Sequence, residues 1–140
     1  MAAREKTNAA ATGRRPRISL TAQDHERLSV LARNSLNSLP DVAEVLIEEL
    51  DRAAITAGRA KDTVCMGSEV EFRDDSTGKT QTVTLVYPGE ADISQGRISI
   101  LTPIGTALIG LRVGASITWE TRGGDRRRLT VLQVRDTVSA

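Results

Sequence analysis

The spacing of apolar residues changes period once along this chain, and that change constrains its fold more than any other feature. Leu28, Leu31, Ala32 and Leu36 recur at helical spacing, as do Val42, Val45, Leu46, Leu50, Ala53 and Ala57 in a second run. Two apolar stripes at a period near 3.6 predict two amphipathic helices. From Cys65 onward the period is two, with Val70 and Phe72 set between Glu69, Glu71 and Arg73, which predicts half-buried strands. Helices followed by strands imply an α+β chain rather than an alternating α/β one.

Local signals refine this outline. Thr21 with Asp24 three residues on resembles a capping box and predicts a first helix over residues 21–37, which Ser38-Leu39-Pro40 breaks. Asp41 as N-cap with Glu44 reaching back opens a second helix, Gly58 stops it, and Glu48 and Arg52 form an i,i+4 pair on it. So short a connection predicts an antiparallel helical hairpin. Asp74-Asp75-Ser76-Thr77-Gly78 is a turn leading into Val83, Leu85 and Tyr87, and residues 97–101 form a third strand. Thr102 as N-cap and Pro103 at the first helical position predict a short helix over residues 104–109, with Gly110 past its end. Residues 115–121 and 127–135 form a second hairpin about Gly123-Gly124-Asp125, with Ile117, Trp119, Leu129, Val131 and Val134 facing inward. The division is therefore a basic tail at 1–17, a helical hairpin at 18–62 and an antiparallel five-strand sheet domain with one short helix at 63–140.

At 140 residues the chain supports one principal core. Its aromatic residues, Phe72, Tyr87 and Trp119, all follow residue 63, which puts the larger core in the C-terminal half. Net charge is +1, unevenly spread: residues 1–17 hold five cations against Glu5, whereas residues 18–63 hold five against eight acids. Arg14, Arg15 and Arg17 allow a weak nucleic-acid contact, although the composition of the tail is first that of a disordered, solvated leader. Cys65 and His25, each single in the chain, can build neither an internal disulfide nor a Cys/His zinc site, which suits a cytoplasmic location. No apolar run is long enough for a membrane span, so no membrane association is expected.

Catalysis requires convergent groups, and few are present. His25, between Asp24 and Glu26, reads as a surface or helix-packing side chain rather than a general base. Cys65 has no cation near it in sequence and reads as a buried, inert thiol. Asp41 and Glu44 at the hairpin tip have the spacing to hold Mg²⁺, but the capping box explains that spacing in full. Asp74-Asp75 reads as turn chemistry, and Glu90 and Asp92 as loop contacts or solvated charge. Gly105 and Gly110 lack the Lys and Ser/Thr of a phosphate-binding loop, and Arg126-Arg127-Arg128 reads as a solvated strand end. No cofactor or metal is implied.

The stretch Thr102-Pro103-Ile104-Gly105-Thr106-Ala107-Leu108-Ile109-Gly110, followed by Arg112-Val113-Gly114, resembles the C-terminal domain of the Gre transcript-cleavage factors. Glu49-Leu50-Asp51-Arg52-Ala53, Met66-Gly67-Ser68, Val70-Glu71-Phe72-Arg73, Thr84-Leu85-Val86-Tyr87-Pro88 and the run from Leu111 to Glu120 together resemble the Rnk family of regulators of nucleoside diphosphate kinase. The resemblance spans residues 18–135. It implies an FKBP-like fold for residues 64–135 and a shortened Gre coiled coil for 18–62. It also implies binding at the secondary channel of RNA polymerase, with the C-terminal domain on the rim; the chain itself is expected to be a monomer. Thr102, Pro103, Ile104 and Gly105 match the segment through which Gre-type domains contact polymerase; Tyr87, Glu90 and Asp92 are placed on the same surface.

The chain departs from the Gre pattern at the tip. Asp41 and Glu44 are not the acidic Gre tip motif, and arms of 17 to 20 residues reach only about 25–30 Å. The expectation is a non-enzymatic polymerase-binding regulator that excludes other secondary-channel factors without stimulating cleavage. A cleavage stimulator acting through the tip carboxylates is one alternative. A prolyl isomerase is another, since the implied fold is shared with such enzymes, but their pockets gather several aromatic side chains and fold does not dictate function.

Overall fold

The computed structural model describes residues 17–58, 60–121 and 123–136. Of the basic tail, only Arg17 falls within this range, exposed to solvent; Arg14 and Arg15 lie outside it. The elements are β1 (Ser19–Thr21), α1 (Ala22–Asn34), α2 (Pro40–Arg52), β2 (Ala54–Thr56), β3 (Ser68–Asp74), β4 (Thr80–Val86), β5 (Arg97–Ser99), α3 (Pro103–Leu108), β6 (Ser116–Glu120) and β7 (Arg126–Asp136).

Thr21 caps α1 as its sequence predicts, its hydroxyl accepting from the Asp24 amide at 3.0 Å. The helix ends at Asn34, earlier than expected. Ser35 turns its hydroxyl back to the Leu31 carbonyl at 2.8 Å, and Leu36 lies exposed beyond the helix. The start of α2 differs more. Leu39 is the N-cap, Pro40 is the first helical residue, and no side chain caps the helix. Proline has its φ preset and no N–H to satisfy, so the helix opens one residue early. Asp41 then sits inside the first turn, where its charge suits the positive helix end, and the expected Asp41–Glu44 capping box does not form.

The end of α2 holds a second correction. The helix stops at Arg52, and Ala54–Thr56 forms β2, parallel to β1, with Leu20 opposite Ile55. Ala53 is extended, with ψ 142°, and the Ala54 amide donates to the Ile18 carbonyl at 2.9 Å. Alanine favours helix only weakly, by tenths of a kcal/mol over most residues, so a strand partner overrides it. Arg52 lies 3.3 Å from buried Glu49, an i,i+3 pair one residue along from the expected i,i+4 partner Glu48. The first turn of α1 meets the last turn of α2 through His25, whose Nε2 is 2.9 Å from the Leu50 carbonyl oxygen.

The large sheet runs β5-β4-β3-β7-β6. The expected hairpins, β3–β4 and β6–β7, are antiparallel, but β5 lies parallel to β4. The sheet is therefore mixed, not wholly antiparallel. The chain between β4 and β5 carries two 3-10 turns, Pro88–Glu90 and Ile93–Gln95, and this crossover brings β5 back along the same direction. A bulge falls between Glu71 and Phe72 where β3 meets β7. One apolar core serves both parts of the chain: Leu20, Leu28 and Leu46 from the N-terminal half share it with Val70, Leu85, Leu108 and Leu129. Trp119 and Val134 reach it only in part.

The β3–β4 turn does more than reverse the chain. Asp74 accepts from the Ser76 amide at 2.9 Å and pairs with Arg127 at 2.8 Å; Asp75 pairs with Arg73 at 2.8 Å and Arg128 at 3.4 Å, and the Thr130 hydroxyl donates to it at 2.7 Å. Two of the three consecutive arginines thus tie β7 to this turn. The Arg73 hydrogen bond, then that of Thr130, holds the Asp75 carboxyl below its ordinary value. A depressed carboxyl contributes stability that is complete above its unfolded pKa and is lost as pH falls through the folded one. The stability difference between the native chain and Asp75→Asn is therefore expected to be constant near neutrality and to shrink as pH drops below about 4 in urea titrations.

Gly110 closes α3 with φ 78°, and a Cβ there would sit 2.6 Å from the Ile18 Cβ. Gly78 has φ 79° with open space around it. Gly110→Ala is expected to cost about 2–4 kcal/mol in chemical denaturation, from strain plus overpacking, against about 1 kcal/mol for Gly78→Ala, which carries strain alone.

Candidate functional site

The Thr102–Gly105 segment is held by its own sequence. Thr102 is extended, with φ −134° and ψ 157°. Its hydroxyl accepts from the Gly105 amide at 3.0 Å and donates to the Ser99 carbonyl at 2.8 Å. Pro103 follows as the first helical residue, and the Thr106 hydroxyl donates to its carbonyl at 3.0 Å. Gly105 is buried, and a Cβ there would collide with the Ser99 carbonyl oxygen and stand 2.9 Å from the Thr102 hydroxyl. Thr102 and Gly105 thus set the shape of the turn, while half-buried Pro103 and Ile104 form the surface it presents.

Pro103 opens onto a groove of about 560 Å³. One wall is the start of α2, with Leu39, Pro40, Asp41 and Val45; the other is β6 and the β6–β7 turn, with Trp119, Glu120 and Arg126. The structure therefore brings Asp41 and Pro103 to one cavity. Glu44 is exposed on α2 and does not line it. Of the three aromatic side chains only Trp119 lines the groove; Phe72 belongs to the core.

Tyr87, Glu90 and Asp92 occupy another place. The Arg27 guanidinium lies over the Tyr87 ring, 4.5 Å from its centroid. The Tyr87 hydroxyl is buried with no hydrogen-bond partner among the described residues. Burial first, and then the Asp24 charge, push its pKa above the ordinary value. Asp24 itself is buried, with a carboxylate oxygen 3.4 Å from the Met66 amide, so this cluster fastens α1 to the sheet. Asp92 caps a 3-10 turn, accepting from the Ser94 amide at 3.1 Å and its hydroxyl at 2.6 Å. Glu90 is exposed on the neighbouring turn, as is Ile93 at 88%. Cys65 is buried, its thiol 3.6 Å from the Thr63 carbonyl oxygen. Among the described residues no group of three His, Cys, Asp or Glu side chains is arranged to hold a metal ion.

Two family models divide the chain between them: the Rnk N-terminus matches residues 16–55, and the C-terminal domain of the GreA/GreB transcription elongation factors matches residues 59–136. The regulator of nucleoside diphosphate kinase of Escherichia coli (strain K12) is 39% identical over 122 residues, which are 86% of this chain and 90% of that protein. The chain belongs to the Rnk family. A solved structure of a prokaryotic transcription elongation factor GreA/GreB from Nitrosomonas europaea agrees, with a TM-score of 0.68 at 37% identity, covering 86% of this chain and 98% of that one. Transcription elongation factor GreA of Rhodospirillum rubrum is 43% identical over 65 residues, 46% of this chain and 41% of that protein. This Rnk-family chain therefore spans under half the length of that GreA.

For an Rnk-family chain the sequence singled out the α3 turn and the tip carboxylates, and the structure puts Pro103 and Asp41 together. It did not single out Leu39, Pro40 or Trp119 as site residues. Their signal is the Leu-Pro pair at a helix start and a tryptophan on a strand that leaves it half-exposed. Because the Thr102 hydroxyl serves both a donor and an acceptor, Thr102→Ala is expected to cost about 1–2 kcal/mol, and Thr102→Ser close to nothing. Urea unfolding of the two variants checks this.

Proposed function

We propose that this protein is a non-enzymatic transcription regulator that binds RNA polymerase as a monomer, at the secondary-channel site that its Gre resemblance implies, without stimulating transcript cleavage. The observation that carries the reading is the GreA/GreB C-terminal match over residues 59–136, within which the doubly anchored Thr102 hydroxyl presents Pro103 on a rigid turn. In this reading the sheet with α3 is the FKBP-like unit, and α1 with α2 is a shortened coiled coil. Pro103 and Ile104 form the contact, with Tyr87, Glu90 and Asp92 as a second patch outside the groove. Effects on nucleoside diphosphate kinase follow from altered transcription.

Length and placement argue against cleavage. Each helix has 13 residues, about 20 Å at 1.5 Å per residue. The start of α2 faces the same groove as Pro103, so the tip is laid against the sheet domain rather than extended from it. Asp41 and Glu44 sit one turn apart on α2, with Glu44 outside the groove.

Purified core RNA polymerase provides the test. The protein is expected to bind it, to be displaced by a Gre factor, and to lose about tenfold in affinity on Pro103→Ala, equivalent to roughly 1.4 kcal/mol. Circular dichroism establishes that the variant is folded. Absence of binding by the folded native protein overturns the proposal.

A further inference from the structure

We propose that Ile93 is an apolar anchor that buries its side chain in an aliphatic recess of the same polymerase surface that takes Pro103, with Asp92 as the positioning residue that holds it out. This rests on the polymerase-binding reading above and adds to it the anchoring residue and the kind of recess it fits. Ile93 is 88% exposed, whereas the other large apolar side chains exposed among the described residues lie between 37% and 51%. Single exposed apolar side chains are ordinary, so exposure alone carries little. The loop that presents this one carries more. Its ends are closed on each other: the Asp92 amide donates to the Arg97 carbonyl and the Arg97 amide to the Asp92 carbonyl, both at 2.9 Å. Within it the Gln95 amide donates to the Asp92 carbonyl and the Gly96 amide to the Ile93 carbonyl, both at 3.0 Å. One Asp92 carboxylate oxygen accepts from both the amide and the hydroxyl of Ser94, and the Gly96 carbonyl accepts from the Thr84 amide of β4 at 2.8 Å.

An aliphatic side chain on a mobile loop loses conformational freedom when a partner covers it, whereas one on a closed loop has little left to lose. Asp92 is half-buried and its carboxylate serves the loop, so Ile93 is the group that the loop offers to a partner. Pro88 and Ala91, also exposed, lie in the same crossover. Strand β5 sets the distance to the Pro103 turn. Arg97, which closes the loop, is its first residue, and Ser99, whose carbonyl accepts from the Thr102 hydroxyl, is its last. Two residues of extended chain place these anchors about 7 Å apart. The Ile93 loop and the Pro103 turn are thus tied to opposite ends of one short strand, close enough for a single protein interface of ordinary size to take in both.

Affinity of the full chain for purified core RNA polymerase, with light scattering of the free protein, tests this. Ile93→Ala is expected to lower affinity about tenfold, as truncation of a buried anchor does, while its urea midpoint stays native because the side chain is already in solvent. Asp92→Ala is expected to weaken binding severalfold, and Asp92→Asn, which keeps an acceptor for the Ser94 amide, to restore it. Asp92→Ala combined with Ile93→Ala is expected to bind no worse than Ile93→Ala alone, since residues that act through one another are not additive. Additive losses overturn the role given to Asp92. Native affinity of Ile93→Ala, in a protein that binds polymerase and is weakened by Pro103→Ala, overturns the anchor and leaves the polymerase reading standing; absence of binding by the native chain overturns both. A native dimer that Ile93→Asp converts to a monomer also overturns the anchor, because a second copy is then what covers Ile93.

Discussion

The contact between Ile18 and Gly110 organises this molecule. Ile18 is buried, its carbonyl accepts from Ala54 at 2.9 Å, and the next residue, Ser19, donates to the Gly110 carbonyl at 3.2 Å. One short segment thus binds the end of α2 on one side and the end of α3 on the other. The left-handed backbone of Gly110 leaves room for it. With their base fastened there, α1 and α2 bury Leu28, Ala32 and Leu46 in the core that the sheet also uses. Asp24, reaching the Met66 amide, and Arg27, lying on Tyr87, fix the outer side. Both helices thus depend on the sheet for their core, and their tip comes to rest on the groove that Pro103 also lines.

Legibility of the sequence follows from where each element gets its stability. Elements fixed by a local side chain are read correctly: the Thr21 and Thr102 caps, Pro103 at N1, and the turn from Asp74 to Gly78. Elements fixed by a distant partner are not. β2 is alanine-rich chain that becomes a strand only because β1 lies next to it, and the parallel setting of β5 depends on a crossover through two 3-10 turns. At the start of α2, two local signals compete, a proline at 40 and an aspartate at 41, and the proline prevails because its backbone is already in the helical region.

The site divides along the same line. Thr102, Pro103 and Gly105 are conspicuous in sequence because a tight, capped turn demands their chemistry, and the structure separates that demand from exposure: Thr102 and Gly105 build the turn, Pro103 and Ile104 present it. Asp92 likewise serves its own turn. The groove beside Pro103 is assembled from three separate stretches, around residues 40, 103 and 119, and no periodicity announces a surface made that way.

Membership of the Rnk family and the GreA/GreB-type C-terminal half frame the proposed role, in which a channel-binding domain has kept its contact turn while its helices are short and laid against the sheet. Transcript cleavage in backtracked elongation complexes tests that account most directly. The account predicts that the protein alone leaves the transcripts at full length and that, added with GreA, it lowers GreA-stimulated cleavage in proportion to its concentration. Transcripts shortened by the protein alone would contradict it.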